Sequence, residues 1–123
     1  MTVRVLIVDD QEPFRLAARM VVEMTDGFEV VAEAETGEES VIFAGELKPD
    51  LVLMDVNLPG INGLEATKQI LAQPDPPVVI VVSTYEYDEY APRALESGAV
   101  AYIPKATFEP DRLTEAWEAA TGT

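Results

Sequence analysis

Five short runs rich in β-branched residues alternate with five segments of helical period, and no other feature of the chain restricts its fold as much. The runs are VRVLIV (3–8), FEVVAEA (28–34), LVLM (51–54), VVIVVS (78–83) and VAYI (100–103). Between them, FRLAARMVVEM (14–24) sets Leu16, Met20, Val21 and Met24 on one helical stripe. EESVIFAGEL (38–47) does the same with Val41, Ile42 and Leu47, and GLEATKQILA (63–72) with Leu64, Thr67, Ile70 and Leu71. A weaker helix is expected in YAPRALESG (90–98), and a last one in DRLTEAWEAA (111–120) with Leu113, Ala116 and Trp117 inward. Apolar spacing of three and four residues is the helical signature. Strands joined through helices pair in parallel, so the fold class is α/β, a doubly wound parallel sheet covered on both faces. Runs one, three and four are almost wholly apolar and belong at the sheet centre. Run two carries Glu29 and Glu33 and belongs at an edge.

The punctuation agrees. Pro13 falls where a first helical turn tolerates it. DGF, KPD, PDPP and SGA mark breaks between elements. The 123 residues suit one domain, 1–123, with no repeat or linker inside it. The fourth helix is the awkward one. Started at Glu86, it would hold Pro92 in its interior, at a cost of about 3 kcal/mol. A late start, around Glu89 to Ala91, is therefore expected. A long, acidic, mobile loop TYEYDE would precede it, with Tyr85, Tyr87 and Tyr90 partly exposed and Tyr85 overhanging the sheet rim.

Composition narrows the function. With 8 basic and 23 acidic residues the net charge is −15, which opposes direct contact with a nucleic-acid backbone. It suits a chain that meets cations or a basic partner surface. Cysteine is absent, so there is neither a disulfide nor a thiolate metal site. The N-terminal apolar run is short, is interrupted by Arg4 and runs into Asp9-Asp10, unlike a signal peptide. No segment is long enough to span a membrane, which makes the cytoplasm the default location.

Ligands of open α/β sheets sit beyond the carboxyl ends of the strands. Read in order, those ends carry Asp9-Asp10, Asp55, Ser83-Thr84 and Lys105. Three carboxylates at one rim repel one another unless a cation is present. An all-oxygen set selects a hard ion, Mg2+ or Mn2+. Asp55, after the central strand and before a Pro-Gly turn, is placed to act as a nucleophile toward phosphorus. Lys105 is the cation at the rim that would neutralise a transferring group. Ser83 can donate a hydrogen bond to a phosphoryl oxygen, with turn capping as the competing use of a strand-end hydroxyl.

The stretches IVDDQEPFR, LVLMDVNLPGINGLE, VVIVVS and ESGAVAYIPK resemble the receiver domain of two-component response regulators. The likeness covers essentially the whole chain, with acids, hydroxyl and lysine in family order and spacing. It implies a flavodoxin-like (βα)5 sheet with strand order 2-1-3-4-5. It implies Asp55 as phospho-acceptor, Asp10 as direct magnesium ligand, Asp9 acting largely through water, and the Asn57 backbone carbonyl as a further ligand. Lys105 would pair with the phosphoryl group, and Ser83 and Tyr102 would be the switch pair. The implied donor is a sensor histidine kinase. The implied chemistry is self-phosphorylation and slow dephosphorylation rather than turnover of external substrates. GAVAYIPKAT leans toward the branch with a helix-turn-helix output, which would alone contact DNA and which these residues do not contain. That leaves a removed output domain or a stand-alone receiver. A homodimer stays open, and no membrane contact is implied.

One departure is Ala106, where the family often has proline, which makes a cis peptide after Lys105 expensive. Two other readings fit less well. A flavodoxin-type module needs a phosphate-cradling loop where this chain has DDQEPF. A haloacid-dehalogenase-type phosphatase needs a second Asp where Asn57 stands. The remaining alternative is a degenerate receiver acting as a phosphorylation-independent binding module, although such chains usually lack an acid or the lysine.

Overall fold

A computed structural model of the chain describes residues 2–84 and 87–122. It contains β1 (Val3–Val8), α1 (Glu12–Glu23), β2 (Phe28–Ala34), α2 (Gly37–Leu47), β3 (Leu51–Met54) and α3 (Gly63–Leu71). These are followed by β4 (Val78–Ser83), α4 (Tyr87–Glu96), β5 (Ala101–Pro104), a 3-10 turn at Lys105–Thr107 and α5 (Pro110–Thr121). The strands form one parallel sheet in the order β2-β1-β3-β4-β5. The apolar runs β1, β3 and β4 are central, and the glutamate-bearing β2 is an edge. Among the described residues no helix is long and apolar enough to cross a membrane.

Strand parity divides the core in two. Leu6, Val8, Val52, Met54, Val79, Val81 and Tyr102 face α2, α3 and α4, meeting Ala44, Ala66, Ile70, Ala91 and Ala94. Val5, Ile7, Leu51, Leu53, Ile80, Val82 and Ile103 face α1 and α5, meeting Ala18, Val22 and Leu113. Trp117 lies against Phe28 edge-on, with ring centroids 6.0 Å apart. The central strands are buried on both faces, which is why they read as unbroken apolar runs rather than alternating ones.

Several helical details depart from the sequence pattern. The α1 stripe of Leu16, Met20 and Met24 points outward, with 54%, 56% and 69% exposure. The inward stripe is Arg15, Ala18 and Val22, flanked by half-buried Phe14 and Val21. The two stripes run side by side on α1, and the small Ala18 lets the inward face approach the sheet. On α2, Ile42 and Leu47 are likewise exposed, while Gly37, Ser40 and Ala44 are buried. Strand β5 runs one residue later than VAYI, at Ala101–Pro104, and Val100 is exposed.

The helix α4 starts at Tyr87, earlier than Glu89, with Pro92 inside it. Pro92 lies on the solvent face, where water can take the carbonyl left without a partner four residues back. Ala91 and Ala94 on the opposite face are 2% and 0% exposed, so packing against the sheet outweighs the lost hydrogen bond. Tyr90 packs half-buried against that core, with the Arg93 guanidinium 5.3 Å from its ring centroid. Tyr85 and the Tyr87 side chain lie outside the described residues.

Candidate functional site

The register of β1 on β3 builds the site. Val8 pairs with Met54, and the Asp55 amide donates to the Val8 carbonyl at 3.0 Å. The next residues on the two strands, Asp9 and Asp55, therefore stand side by side. Both continue the Val5-Ile7 and Leu51-Leu53 parity, facing the α1 side. Asp9 is fully buried, Asp55 is buried and Asp10 is exposed. Each offers a carboxylate oxygen within 4.8 Å of the other two.

Lys105 enters from the turn after β5. Its Nζ is 2.7 Å from Asp9 Oδ2 and 3.7 Å from Asp55 Oδ2, and its side chain is only 12% exposed. Asp9 Oδ1 accepts from the Gln11 amide at 2.8 Å. Among the described residues, Asp9 Oδ2 is buried without a hydrogen bond of regular geometry, and the ion pair with Lys105 is its contact. Asp55 Oδ1 accepts from the Val56 amide at 2.9 Å.

These surroundings raise the Asp55 carboxyl from its ordinary 3.8 to about 6. Burial is the largest cause, and the Asp9 charge is the second. The Lys105 charge and the Val56 amide pull the other way, and Asp10 adds a smaller upward push. Crowded acids with one ammonium between them leave negative charge in excess. A hard divalent ion fits this donor set, since the three converging carboxylates of Asp9, Asp10 and Asp55 offer only oxygen donors.

The cleft in front of Asp55 is lined by Asp10, Asn57, Thr84 and Lys105. Asn57 is exposed in the loop before α3, which is capped by Asn62 accepting from the Glu65 amide at 2.9 Å. Gly63 crosses directly over Asp55: a Cβ there would lie 1.8 Å from the Asp55 carbonyl oxygen. Only glycine allows that approach, and it pins the acid against the start of α3. Ser83 is fully buried at the end of β4, and Tyr102 is 4% exposed on β5, opposite Val81. Thr84, next to Ser83, is the exposed hydroxyl that lines the cleft. All peptide bonds of the described residues are trans, including the one at Ala106.

Two residues beside the site were not legible as site residues. Arg15 is 9% exposed and donates from Nη1 to the Asp9 carbonyl at 2.7 Å. It also pairs with Glu33 at 3.3 Å and with Glu35 at 3.9 Å, and Arg19 pairs with Glu33. Phe14 presents its ring to Lys105 Nζ, 4.3 Å from the centroid. The available signal was an arginine on the same stripe as Ala18 and Val22, one helical turn past the acid pair.

The whole site can therefore hold a hard cation, offer a carboxylate nucleophile and neutralise charge with one amine. The family model of the response regulator receiver domain matches residues 5–118. The response regulator GacA of Pseudomonas protegens is 45% identical over 103 residues, covering 84% of this chain and 48% of that protein. The transcriptional regulatory protein LiaR of Bacillus subtilis is 37% identical over 119 residues, covering 97% of this chain and 56% of that protein. A crystal structure of a LuxR-family two-component response regulator from Aurantimonas sp. SI85-9A1 superposes with a TM-score of 0.87 at 34% identity, covering 98% of this chain and 85% of that one. The chain spans about half the length of the curated relatives it matches.

Proposed function

The chain belongs to the response regulator receiver domain family, and on that premise we propose that Asp55 accepts a phosphoryl group from a phosphohistidine on a sensor kinase. A carboxylate oxygen of Asp55 attacks phosphorus, forming an O–P bond as the N–P bond to the donor histidine breaks. The product is an acyl phosphate. The observation that carries this reading is the meeting of the Asp9, Asp10 and Asp55 carboxylate oxygens within 4.8 Å, with the Lys105 amine among them.

Each residue has a definable task. With its carboxyl raised to about 6, Asp55 is still mostly ionised at neutral pH and so remains a nucleophile. Asp10, Asp55 and the Asn57 carbonyl would hold Mg2+, with Asp9 assisting through water. When bound, Mg2+ supplies positive charge to offset that of the phosphoryl oxygens. Lys105 swings from Asp9 toward the phosphoryl group and neutralises it. Ser83 donates a hydrogen bond to a phosphoryl oxygen, and the pairing of β4 with β5 carries the displacement to Tyr102. The changed β4–β5 face then controls a partner. For a protein of this kind that partner is a DNA-binding output domain, a second copy of the chain, or both, in the cytoplasm. A reading as a phosphorylation-independent binding module has no observation in its favour, since the acids and the lysine are all in place.

The test is intact mass after treatment with acetyl phosphate, with and without Mg2+. A single phosphoryl gain that requires Mg2+ and vanishes in Asp55→Asn is expected. A gain that survives Asp55→Asn overturns the assignment. Beryllofluoride with Mg2+ should in parallel shift NMR signals around Asp55, Ser83 and Tyr102.

A further inference from the structure

The lysine of the site has a third neighbour besides its two carboxylates. Lys105 Nζ lies 4.3 Å from the centroid of the Phe14 ring, within the range where an ammonium is attracted to a ring face. The contact is made by the local sequence DDQEPFR. Asp9 Oδ1 accepts from the Gln11 amide, and the Gln11 carbonyl then accepts from the amides of Phe14 and Arg15 at 3.2 and 3.1 Å. The first turn of α1 is thereby tied to the acid pair, and it aims two successive side chains back at the site. Arg15 bonds to the Asp9 carbonyl, and Phe14 reaches over to the lysine. Phe14 also packs against Phe108, with centroids 6.3 Å apart and the rings tilted by 46°. Phe108 itself follows the short turn that carries Lys105.

We propose that Phe14 is a positioning residue for Lys105, its ring face seating the ammonium so that it can move between Asp9 and the phosphorylated Asp55 without escaping to water. This rests on the phosphoryl-accepting role of Asp55 and on Lys105 neutralising the transferred group. The physical case is one of charge. To move from Asp9 at 2.7 Å onto a group on Asp55, whose carboxylate lies at 3.7 Å, a largely desolvated ammonium gives up its shortest ion pair. A ring face is attractive to a cation without fixing one hydrogen-bond direction, so the amine keeps a partner throughout the movement. It also covers the side of the amine that would otherwise be hydrated.

The test replaces Phe14 with phenylalanines carrying one, two and three ring fluorines, which drain the ring face of negative potential at nearly constant shape. Phe14→Tyr and Phe14→Leu accompany the series. The rate of Asp55 phosphorylation by acetyl phosphate at saturating Mg2+ should fall in the order of fluorination, by about tenfold in total. Tyr should resemble Phe, and Leu should resemble the trifluorinated ring. In the metal-free protein the Lys105 ε-methylene protons should show an upfield ring-current shift that disappears in Phe14→Leu. Absence of that shift, or a phosphorylation rate indifferent to fluorination in a chain that is phosphorylated normally, overturns the positioning role alone. A wild-type chain that takes no phosphate on Asp55 overturns the functional reading, and the positioning role with it.

Discussion

Lys105 and Asp9 form the tightest ion pair between the lysine and the acids of the site, with Nζ to Oδ2 at 2.7 Å against 3.7 Å to Asp55. The amine is thus invested mainly in Asp9 rather than in Asp55. Burial and then the Asp9 charge raise the Asp55 carboxyl, and the Lys105 charge offsets them only in part.

The first prediction concerns that pair. In Asp9→Asn the second-largest cause of the upward shift disappears, and the lysine is released toward Asp55. Both changes favour the ionised form, so the Asp55 carboxyl should titrate clearly below about 6. Carboxyl 13C NMR of metal-free protein reads this directly. A titration point that stays put or rises would show that Asp9 is not what holds Asp55 up.

The second concerns stability. Because the carboxyl of Asp55 is raised from 3.8 to about 6, the folded chain binds more protons than the unfolded one across that window. Stability from this group is then highest below 3.8 and is lost as the pH climbs toward about 6. Asp55→Asn removes the loss, so the metal-free variant should outlast wild type in urea at pH 7.5 by on the order of 1–3 kcal/mol. The advantage should shrink toward pH 4. An advantage of equal size at both pH values would mean that packing, not ionisation, is responsible.

The third concerns the ion. Mg2+ should raise the melting temperature of wild type, as any ligand of the folded state does. Asp10 is exposed at the cleft, whereas both Asp9 oxygens are already engaged, one by the Gln11 amide and one by Lys105. Asp10→Asn should therefore weaken Mg2+ binding by about a hundredfold and Asp9→Asn by about tenfold, as read by NMR titration. Trp117 fluorescence is a poor reporter, since the ring packs on Phe28 and not at the site. Equal or reversed losses would exchange the two roles.

The fourth concerns the backbone under Asp55. Gly63→Ala places a methyl group 1.8 Å from the Asp55 carbonyl oxygen, and backbone cannot retreat as a flexible side-chain end can. A destabilisation of about 3 kcal/mol is expected by urea denaturation. Beryllofluoride binding should weaken as well. Wild-type stability in this variant would mean that α3 can shift away freely.

Much of this architecture was legible residue by residue. Strand runs, central against edge placement and the convergence of Asp9, Asp10, Asp55 and Lys105 all follow from local patterns, because burial on both faces erases alternation and strand ends fall at one rim of a parallel sheet. The α1 stripe was less legible. Leu16, Met20 and Met24 are as apolar and as well spaced as any core stripe, and only the sheet surface chooses between them and the Arg15-Ala18-Val22 face. The start of α4 failed for a related reason: the local penalty of Pro92 is real, but it is outweighed by the burial of Ala91 and Ala94, which no local rule counts.

The sequence by itself determined which runs are central and which is an edge, and which residues meet at one rim, since these depend on apolar patterning and on which residues end each strand, whereas the full strand order was implied by the family resemblance. Only the tertiary structure decided that Lys105 favours Asp9 over Asp55, that Arg15 and Phe14 turn inward to hold the acid pair and the amine, and that α4 begins at Tyr87. Those choices rest on distances of a few ångströms between side chains far apart in sequence. They are settled by how closely helix and sheet approach, which small residues such as Ala18, Ala44, Ala66 and Ala91 permit and the order of residues alone does not state.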